Sequence, residues 1–511
     1  MISILGSAGR AHPRGGEIAG TAVSVAAIVS ATLAVGCSGG DARTAEIASV
    51  IARADAALIR ARPALVAGKY ATMAADPYSF FRGSVPLFLH DFTGGHLGLG
   101  ESRFALTEPL VVSIGDAHVE NFGALRGRDG TLALEVNDLD GGDQTVYLWD
   151  VRRLATAMSV AALLSNPEDP EARAEAAAAS RDIALAAARS YAENIRAFAE
   201  GAPRERVDDP SGDPVIEDLF ERSEEDFADR TELLELTEMV DGARRLRRGH
   251  IDEDEPEHVF LELPPSARLA LPDALAAYRT TLVDPPATTF FDVLDAVREK
   301  GTGVASWPRV RAIVLVRGPT DDPTDDLLLE LKELPDSTVP LHAPPEVAYD
   351  SIQDRVLGVA RAAWARPDAE PLWGTTGLLG FPCQIRLESE GQKTVRIRRF
   401  EGKRGAVSVI TTFAARLGAL VARVHASPRA KGAVSPATAI AAAIGADVEE
   451  FAAEQADIGS AYAAEVLADH ARFADALADL GPRLGVPEDP RDEPSADLAA
   501  LFDGLPTEPT E

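Results

Sequence analysis

Two short apolar runs, each ending in a polar motif, restrict the fold of this chain more than any other feature of its sequence. VVSI (111–114) leads into GDAHVENFG (115–123), and TLALEV (131–136) leads into NDLD (137–140). Short apolar runs bounded by turn-forming residues are typical of buried strands. The pattern therefore predicts two strands whose ends carry acidic and amide side chains.

These residue types suit phosphoryl transfer. Asp116 and Asn121 lie on the loop after the first strand, and Asp138 lies at the end of the second. In phosphoryl transfer one carboxylate orients or deprotonates the attacking hydroxyl, while an amide and another carboxylate hold magnesium against the phosphates. Oxygen atoms are the ligands that magnesium prefers.

Two other interpretations of this segment stay open. A lone G-D-x-H is also typical of a capped turn without a catalytic role. Asp116, His118 and Glu120 would suit a metal hydrolase. That reading is weaker, because a second ligand cluster is missing and H-x-E at 118–120 has no P-C-x-x-C partner.

The motifs also resemble those of known families. GDAHVENFG and VNDLDGG resemble the catalytic and metal-binding segments of aminoglycoside phosphotransferases and choline kinases. The chain is similar as well to a bacterial family catalogued as domain of unknown function 2252, through MAADPYSFFRG (73–83), GDAHVENFG, NDLD and WDVRRLA (149–155) in that order. The resemblance implies an α+β, two-lobed protein-kinase-like fold with large helical content.

The same resemblance implies roles for individual residues. Asp116 would be the catalytic base, with His118 supporting its loop, and Asn121 would bind magnesium. Asp138 would be the main magnesium carboxylate, with Asp140 as a second.

Two further residues come from the flanking motifs. Asp150 matches a helix aspartate that ties down the catalytic loop, although it could instead cap the helix that begins near Val151. Arg82 in FFRG would form an anion contact or a salt bridge.

The elements expected to bind ATP come after the catalytic segment instead of before it. Gly301 and Gly303 mark a glycine-containing turn, and Lys332 follows on an alternating apolar stretch typical of a strand. LGALVARVHAS (417–427) resembles the helix that leads into the catalytic loop of phosphotransferases. We therefore expect a circularly permuted kinase-like fold, in which Lys332 pairs with phosphate; a surface lysine at a strand edge is the alternative.

The turn departs from the family pattern. Trp307 and Pro308 stand where small flexible residues are expected, which makes close backbone approach to phosphates harder. The acidic partner of Lys332 is open, and the candidates lie on the helix predicted at 346–365: Glu346, Asp350 and Asp354.

The N-terminus predicts export. Arg10 and Arg14 precede an uncharged run that ends at Cys37, as in a signal peptide spanning residues 1–36. LAVGC resembles a lipoprotein box in which Cys37 is lipidated, although a plain secretory signal or anchor, or a misassigned start codon with a cytoplasmic protein, are alternatives.

The net charge of −31 limits the partners of this chain. It argues against binding nucleic acid, because phosphate backbones need a basic surface. It also argues against a basic membrane-binding patch, so any membrane contact would come through the lipidated N-terminus.

After the predicted signal peptide, the sequence divides into four regions. Residues 37–300 are predicted to form a helical region that carries the catalytic loop, and residues 301–405 a strand region that binds nucleotide. Residues 406–480 are predicted to complete the helical region, and residues 481–511 are an acidic, Pro-rich tail expected to be disordered. Helices are predicted at 44–66, 171–201, 216–247, 346–365, 408–426, 436–445 and 447–479. Strands are predicted around CQIRLE (383–388) and TVRIRRF (394–400).

These features predict an ATP- and magnesium-dependent phosphotransferase that acts on an unknown small-molecule or protein hydroxyl. The alternative is a catalytically degenerate, kinase-like nucleotide- or ligand-binding lipoprotein of the cell envelope. The altered turn and the export signal favour the alternative, since ATP is scarce outside the cytoplasm, whereas retention of Asp116, Asn121, Asp138 and Lys332 favours the enzyme.

Overall fold

The computed structural model describes seven stretches of the chain: residues 42–165, 170–251, 257–340, 349–388, 391–400, 406–428 and 435–487. The predicted signal peptide, the lipidation residue Cys37 and the candidate Glu346 lie outside the described residues. So does most of the tail, although Leu484 is described and buried. The described residues form an α+β protein.

Helices make up about half of the described chain. They are α1 (Ala42–Ala54), α2 (Ala56–Ala61), α3 (Pro63–Ala75), α4 (Pro77–Gly83), α5 (Val85–Gly94), α6 (Leu148–Leu164), α7 (Pro170–Ala199), α8 (Pro214–Asp229), α9 (Thr231–Leu236), α10 (Pro265–Arg279), α11 (Ile352–Ala363), α12 (Ala406–His425), α13 (Ala437–Ile444) and α14 (Val448–Leu480). Several begin with proline at the first turn, where the missing N–H is no loss.

The helical core forms around α6, which is buried from Leu148 to Ala162. Helices α7, α12 and α14 pack against it, and α12 and α14 each pack against α7 as well. A Cβ on Gly418 of α12 would clash with the backbone carbonyl of Ala187 on α7, so this glycine lets the two helices approach closely. The predicted helices at 171–201, 408–426, 436–445 and 447–479 are confirmed by α7, α12, α13 and α14.

Helix α12 is, in the described part of the chain, the one helix long and apolar enough to cross a membrane by length and composition. More than half of its apolar stretch is buried inside the protein. Its last turn carries Arg423, in a buried ion pair with Glu135, and His425, whose buried ring nitrogen Nε2 lies 3.0 Å from an oxygen of Asp150. These properties fit a core helix.

The largest sheet has seven strands in the order β12-β13-β11-β10-β9-β8-β7. The strands are β7 (Gly249–His250), β8 (Val259–Glu262), β9 (Val293–Lys300), β10 (Arg311–Val316), β11 (Leu327–Glu333), β12 (Gly374–Leu378) and β13 (Phe381–Leu387). All neighbouring pairs are antiparallel, and the sheet begins before residue 301. Helix α11 lies between β11 and β12 in the chain.

The two faces of this sheet differ in polarity. Opposite residues on neighbouring strands share a face, and one row across four strands consists of Glu299, Arg311, Lys332 and Gln384. The other face is apolar, with Ala312, Leu331 and Ile385 packed in one cluster with residues of α10. The polar row therefore faces away from the core covered by α10.

The remaining strands form two-stranded sheets. They are β1 (Val111–Val112) with β4 (Gln144–Thr145), β2 (Phe122–Arg126) with β3 (Leu132–Val136), and β5 (Thr237–Val240) with β6 (Ala243–Leu246). The strands predicted at 111–114 and 131–136 are confirmed by β1 and β3, and each precedes its polar motif.

Three predicted elements were wrong in part. The helix at 216–247 ends early, and Asp241 and Gly242, both with positive φ, form the tight turn of the β5–β6 hairpin. The first predicted helix is three helices, because Pro63 begins a new one after Arg62. Residues 394–400 form a bridge at Thr394 and a short 3₁₀ helix instead of a strand.

Candidate functional site

A cleft of about 600 Å³ lies between the polar face of the large sheet and the segment that contains β2 and β3. Eight residues named in the sequence analysis line it: Arg82, Glu120, Asn121, Asp138, Gly301, Gly303, Trp307 and Lys332. Folding thus brings the two regions that carry the predicted catalytic and nucleotide-binding residues to one cavity.

Lys332 connects the two regions. Its Nζ atom lies 2.9 Å from Asp138 Oδ2 and 2.7 Å from Asp140 Oδ2. Burial alone would lower the pKa of Lys332, but the two carboxylates outweigh burial and hold its pKa above the ordinary value. Burial likewise favours the neutral acid of Asp138, yet Lys332 outweighs it and the pKa of Asp138 is lowered.

The acidic residues predicted as partners of Lys332 on the following helix are therefore not its partners, as far as the structure describes them. Asp354 bonds to Ser351 instead: the Ser351 hydroxyl donates to the Asp354 carboxylate at 2.7 Å and accepts from the Asp354 backbone N–H at 3.1 Å. The ion pairs of Lys332 are with Asp138 and Asp140 instead. With 6% of its surface exposed, Lys332 is also not the surface lysine of the alternative reading.

Asp116 is held by its own loop and by α6. Its Oδ1 accepts a 2.7 Å hydrogen bond from Arg153 Nε, and Asn121 Nδ2 donates to its backbone carbonyl at 2.8 Å. Because Asn121 makes this bond through Nδ2, the other polar atom of its side-chain amide is its own Oδ1. Burial raises the pKa of Asp116 above its usual range, against the opposing effect of Arg153.

His118 supports the loop. Its Nδ1 accepts a hydrogen bond from Glu120 N at 3.1 Å and lies 3.5 Å from the Tyr78 hydroxyl. Burial lowers the pKa of His118 well below its ordinary value, helped by Arg82 and Arg153. A neutral ring with Nδ1 as acceptor fits a structural cap better than proton transfer.

Asp150 ties the same loop to α6. Its carboxylate accepts hydrogen bonds from Ile114 N at 2.8 Å and from Ser113 Oγ at 2.9 Å, and it pairs with His425 Nε2 at 3.0 Å. The residue preceding α6 is Tyr147, and Asp150 lies within the helix, bonded to the loop. This geometry matches the tying role and not the capping role.

The two polar motifs contact each other through their backbones. Gly115 has φ +88°, and a Cβ there would lie 2.5 Å from the Gly141 carbonyl. Glycine is therefore required at this position for both its conformation and its close approach.

Arg82 forms a salt bridge. Its Nη1 lies 2.8 Å from Glu120 Oε2, and the same oxygen lies 3.4 Å from Arg396 Nη1. Glu120 Oε1 also accepts a hydrogen bond from Ile397 N. The salt-bridge half of the expectation for Arg82 is met, and the anion contact stays a prediction.

The glycine-containing turn between β9 and β10 packs against α3. Gly301 has φ +85°, and a Cβ there would clash with the Glu257 carbonyl. Trp307 lies against Gly68 of α3. Arg62 donates to the Pro308 carbonyl at 2.9 Å and to Glu333 at 2.7 Å. Trp307 and Pro308 thus anchor the turn, a role that the sequence did not suggest.

Two arginines of the site were not predicted from the sequence. Arg153, inside the WDVRRLA motif, stacks its guanidinium 3.6 Å from the Phe81 ring centre and orients Asp116. Arg355 of α11 donates to the carbonyls of Asp140 at 2.9 Å, Pro335 at 2.7 Å and Gly142. A motif pointed to Arg153, but nothing in the sequence around Arg355 distinguishes it from a surface helix residue.

A metal would find oxygen ligands in this cleft. Within the described ranges, no three His, Cys, Asp or Glu side chains are grouped as a protein-only metal site requires. Magnesium, however, is usually bound by one or two carboxylates together with substrate phosphates and water. Asp138, Asp140 and the Asn121 amide fit that arrangement, and Asn137 Oδ1 beside them is a buried acceptor without a hydrogen-bond partner among the described residues.

The fold and this site define an α+β protein with a polar cleft in which carboxylate, amide and lysine side chains from distant segments converge. A family model described as "uncharacterized protein conserved in bacteria (DUF2252)" matches residues 60–476. The chain belongs to this family. It matches none of the curated proteins and none of the solved structures.

The lowered pKa of His118 predicts a pH effect on stability. Below about pH 6.5 the unfolded chain binds a proton at this histidine that the folded protein does not, so stability is complete above that pH and is lost as pH falls. We expect the free energy of unfolding of the wild type to fall more steeply than that of His118→Asn between pH 6.5 and 5, by up to about 1.4 kcal/mol per pH unit. Urea unfolding at each pH measures this, and equal slopes would contradict a buried neutral His118.

Arg355→Ala is expected to lower the free energy of unfolding by about 3 kcal/mol, because one buried and two partly buried carbonyls lose a charged donor. Arg355→Lys should recover only part of the loss, since a lysine cannot reach carbonyls in three directions. Urea unfolding of the three proteins is the measurement. A loss below about 1 kcal/mol in the alanine variant would show that the clamp contributes little.

Proposed function

We propose that this protein is an ATP- and magnesium-dependent phosphotransferase with a two-lobed, protein-kinase-like and circularly permuted fold. The observation that carries the proposal is the ion pair between Lys332 and Asp138, which are 194 residues apart. The permutation hypothesis requires the late nucleotide-binding strands to fold back onto the early metal-binding motif, and this ion pair joins those two elements.

The order of elements in the sheet supports the same proposal. Strands β9, β10 and β11 form an antiparallel meander, with Gly301 and Gly303 after the first strand and Lys332 on the third. In protein kinases a glycine-rich loop covers the phosphates and the phosphate-pairing lysine lies on the third strand. Here the lysine is balanced by the two carboxylates of the NDLD motif, and α11 contributes Arg355 at the back of that motif.

Asp138, Asp140 and Asn121 would hold magnesium, which when bound would neutralise charge on the nucleotide phosphates. Lys332 would exchange its carboxylate partners for phosphate oxygens. As the oxygen of the acceptor hydroxyl bonds to the γ-phosphorus, the bond between that phosphorus and the ADP oxygen would break. Asp116 would accept the proton that the hydroxyl loses. The raised pKa of Asp116 favours proton acceptance, and Arg153 fixes its orientation.

The second candidate is a kinase-like protein that binds a nucleotide or another ligand without turnover. Trp307 against Gly68, and Arg62 on Pro308, hold the glycine turn against α3 and favour this reading. In that case the protein would be an envelope lipoprotein anchored through Cys37, outside the nucleotide-rich cytoplasm. In either case the partner is an unknown small molecule or protein, not nucleic acid, and any membrane contact is through the lipidated N-terminus.

Magnesium and ATP together are expected to raise the melting temperature of the wild type. Binding stabilises the native state by about 2.7 kcal/mol when the ligand concentration is 100 times Kd. Asp138→Ala should abolish the shift, because it removes the main metal carboxylate. The control Asp321→Ala removes the same charge from an exposed residue on another loop, so it should keep the shift. No shift in the wild type at millimolar Mg²⁺ and ATP would contradict both candidates.

Asp116→Asn distinguishes the enzyme from the binder. With ATP binding retained, we expect ADP release by the variant, in water or with a panel of hydroxyl acceptors, to be about 10² to 10⁴ times slower than by the wild type, because the proton acceptor is lost. Equal rates in the two proteins would remove Asp116 as the base. A melting shift without turnover in the wild type would select the binding protein.

A further inference from the structure

Arg82 and Arg396 come from distant parts of the chain to one carboxylate. Glu120 Oε2 pairs with Arg82 at 2.8 Å and with Arg396 at 3.4 Å. The Glu120 side chain is 7% exposed, whereas Arg82 is 24% and Arg396 is 51% exposed. One carboxylate shared by two guanidinium groups leaves a positive charge, and each of these partly exposed guanidinium groups has further N–H donors.

Both arginines line the cleft that contains Asn121 and Asp138. Arg82 is also close enough to Asp116 and His118 to act on the charge of each: it favours the ionised form of Asp116 and the neutral form of His118. The positive group therefore lies beside the proposed proton acceptor, in a protein whose net charge of −31 would otherwise repel anions.

A second cleft, of about 450 Å³, shares Gln392, Lys393, Thr394 and Arg396 with the first. The charge of Lys393 is taken up there by Asp226 at 3.0 Å and Glu232 at 3.1 Å. Of the residues that line both clefts, Arg396 therefore carries the remaining cationic charge, and Arg82 lines the first cleft on the same Glu120 carboxylate.

Gln392 provides an independent sign of a ligand at this junction. The residue is 7% exposed, and its Oε1 is a buried acceptor without a hydrogen-bond partner among the described residues. A buried amide oxygen of this kind is satisfied by a hydroxyl or N–H donor. The junction therefore presents donors for an anion and an acceptor for a hydroxyl in one place.

We propose that Arg82 and Arg396 form an anion subsite for the phosphate acceptor, which is a hydroxylated compound bearing a carboxylate or phosphate group. Two planar guanidinium forks suit both anions, because each fork can donate two parallel hydrogen bonds. A hydroxyl of the same compound would contact Gln392, and another would face Asp116. The catalytic meaning of this subsite rests on the proposed phosphotransfer, but anion binding does not.

The first experiment titrates inorganic phosphate, without magnesium or nucleotide, into the wild type and single variants by calorimetry. We expect Kd to rise about tenfold or more in Arg396→Ala and to rise in Arg82→Lys, which keeps the charge beside Glu120 but loses the fork. Arg53→Ala, the control at an exposed arginine of α1, should leave Kd unchanged.

Absence of phosphate binding in the wild type overturns the subsite. So does binding that is lost in Lys332→Met and kept in Arg396→Ala, because the anion would then lie at the lysine. Neither result depends on ATP, so failure here is distinguishable from failure of the phosphotransferase proposal, which the melting shift with magnesium and ATP tests.

The second experiment compares glycerol 3-phosphate, D-glycerate and glycerol as probes of the same site. We expect the two anions to bind and to compete with phosphate, and glycerol not to. The tighter anion identifies whether the acceptor carries phosphate or carboxylate, and both results support the subsite. Equal affinity for glycerol and the two anions would overturn it.

Discussion

The site depends on the balance of charge between Lys332 and the carboxylates of Asp138 and Asp140. A buried ammonium is stable only with anionic partners, and two carboxylates this close are stable only with a cation between them. Each group therefore fixes the other, and through them the large sheet is joined to the β2–β3 segment. Arg355 stabilises the same junction, because its guanidinium donates to the backbone carbonyl of Asp140 on one side and to that of Pro335 on the other.

A second layer of buried polar residues holds the loop between the strands. Asp150 binds the backbone at Ile114, and His118 caps the turn through Glu120. Arg153 stacks on the Phe81 ring, donates to the Phe81 carbonyl through Nη2 and donates to Asp116 through Nε. Since these side chains are buried, their bonds hold the loop in place, as the proposed role of Asp116 requires.

The fold of this loop region could be predicted in part because its signals are local. Apolar runs that end in polar motifs predicted β1 and β3, and the spacing of small and apolar residues predicted the long helices of the core. The β5–β6 hairpin was missed, although Asp241-Gly242 is a strong turn signal, because the surrounding charged residues resemble an amphipathic helix. Arg355 could not have been found, since its three partners are backbone carbonyls, which leave no pattern in the sequence.

By itself, the sequence determined which residue types could do chemistry, their order along the chain, and the α+β character, because these depend on composition and local periodicity. Only the tertiary structure decided that Lys332 faces Asp138 and Asp140 instead of an acid on α11, and that Arg82 and Arg396 meet at Glu120. The Lys332–Asp138 pair joins residues 194 positions apart, and the Arg396–Glu120 pair joins residues 276 positions apart. Such pairings are set by how whole elements pack to bury apolar surface while every buried charge finds a partner.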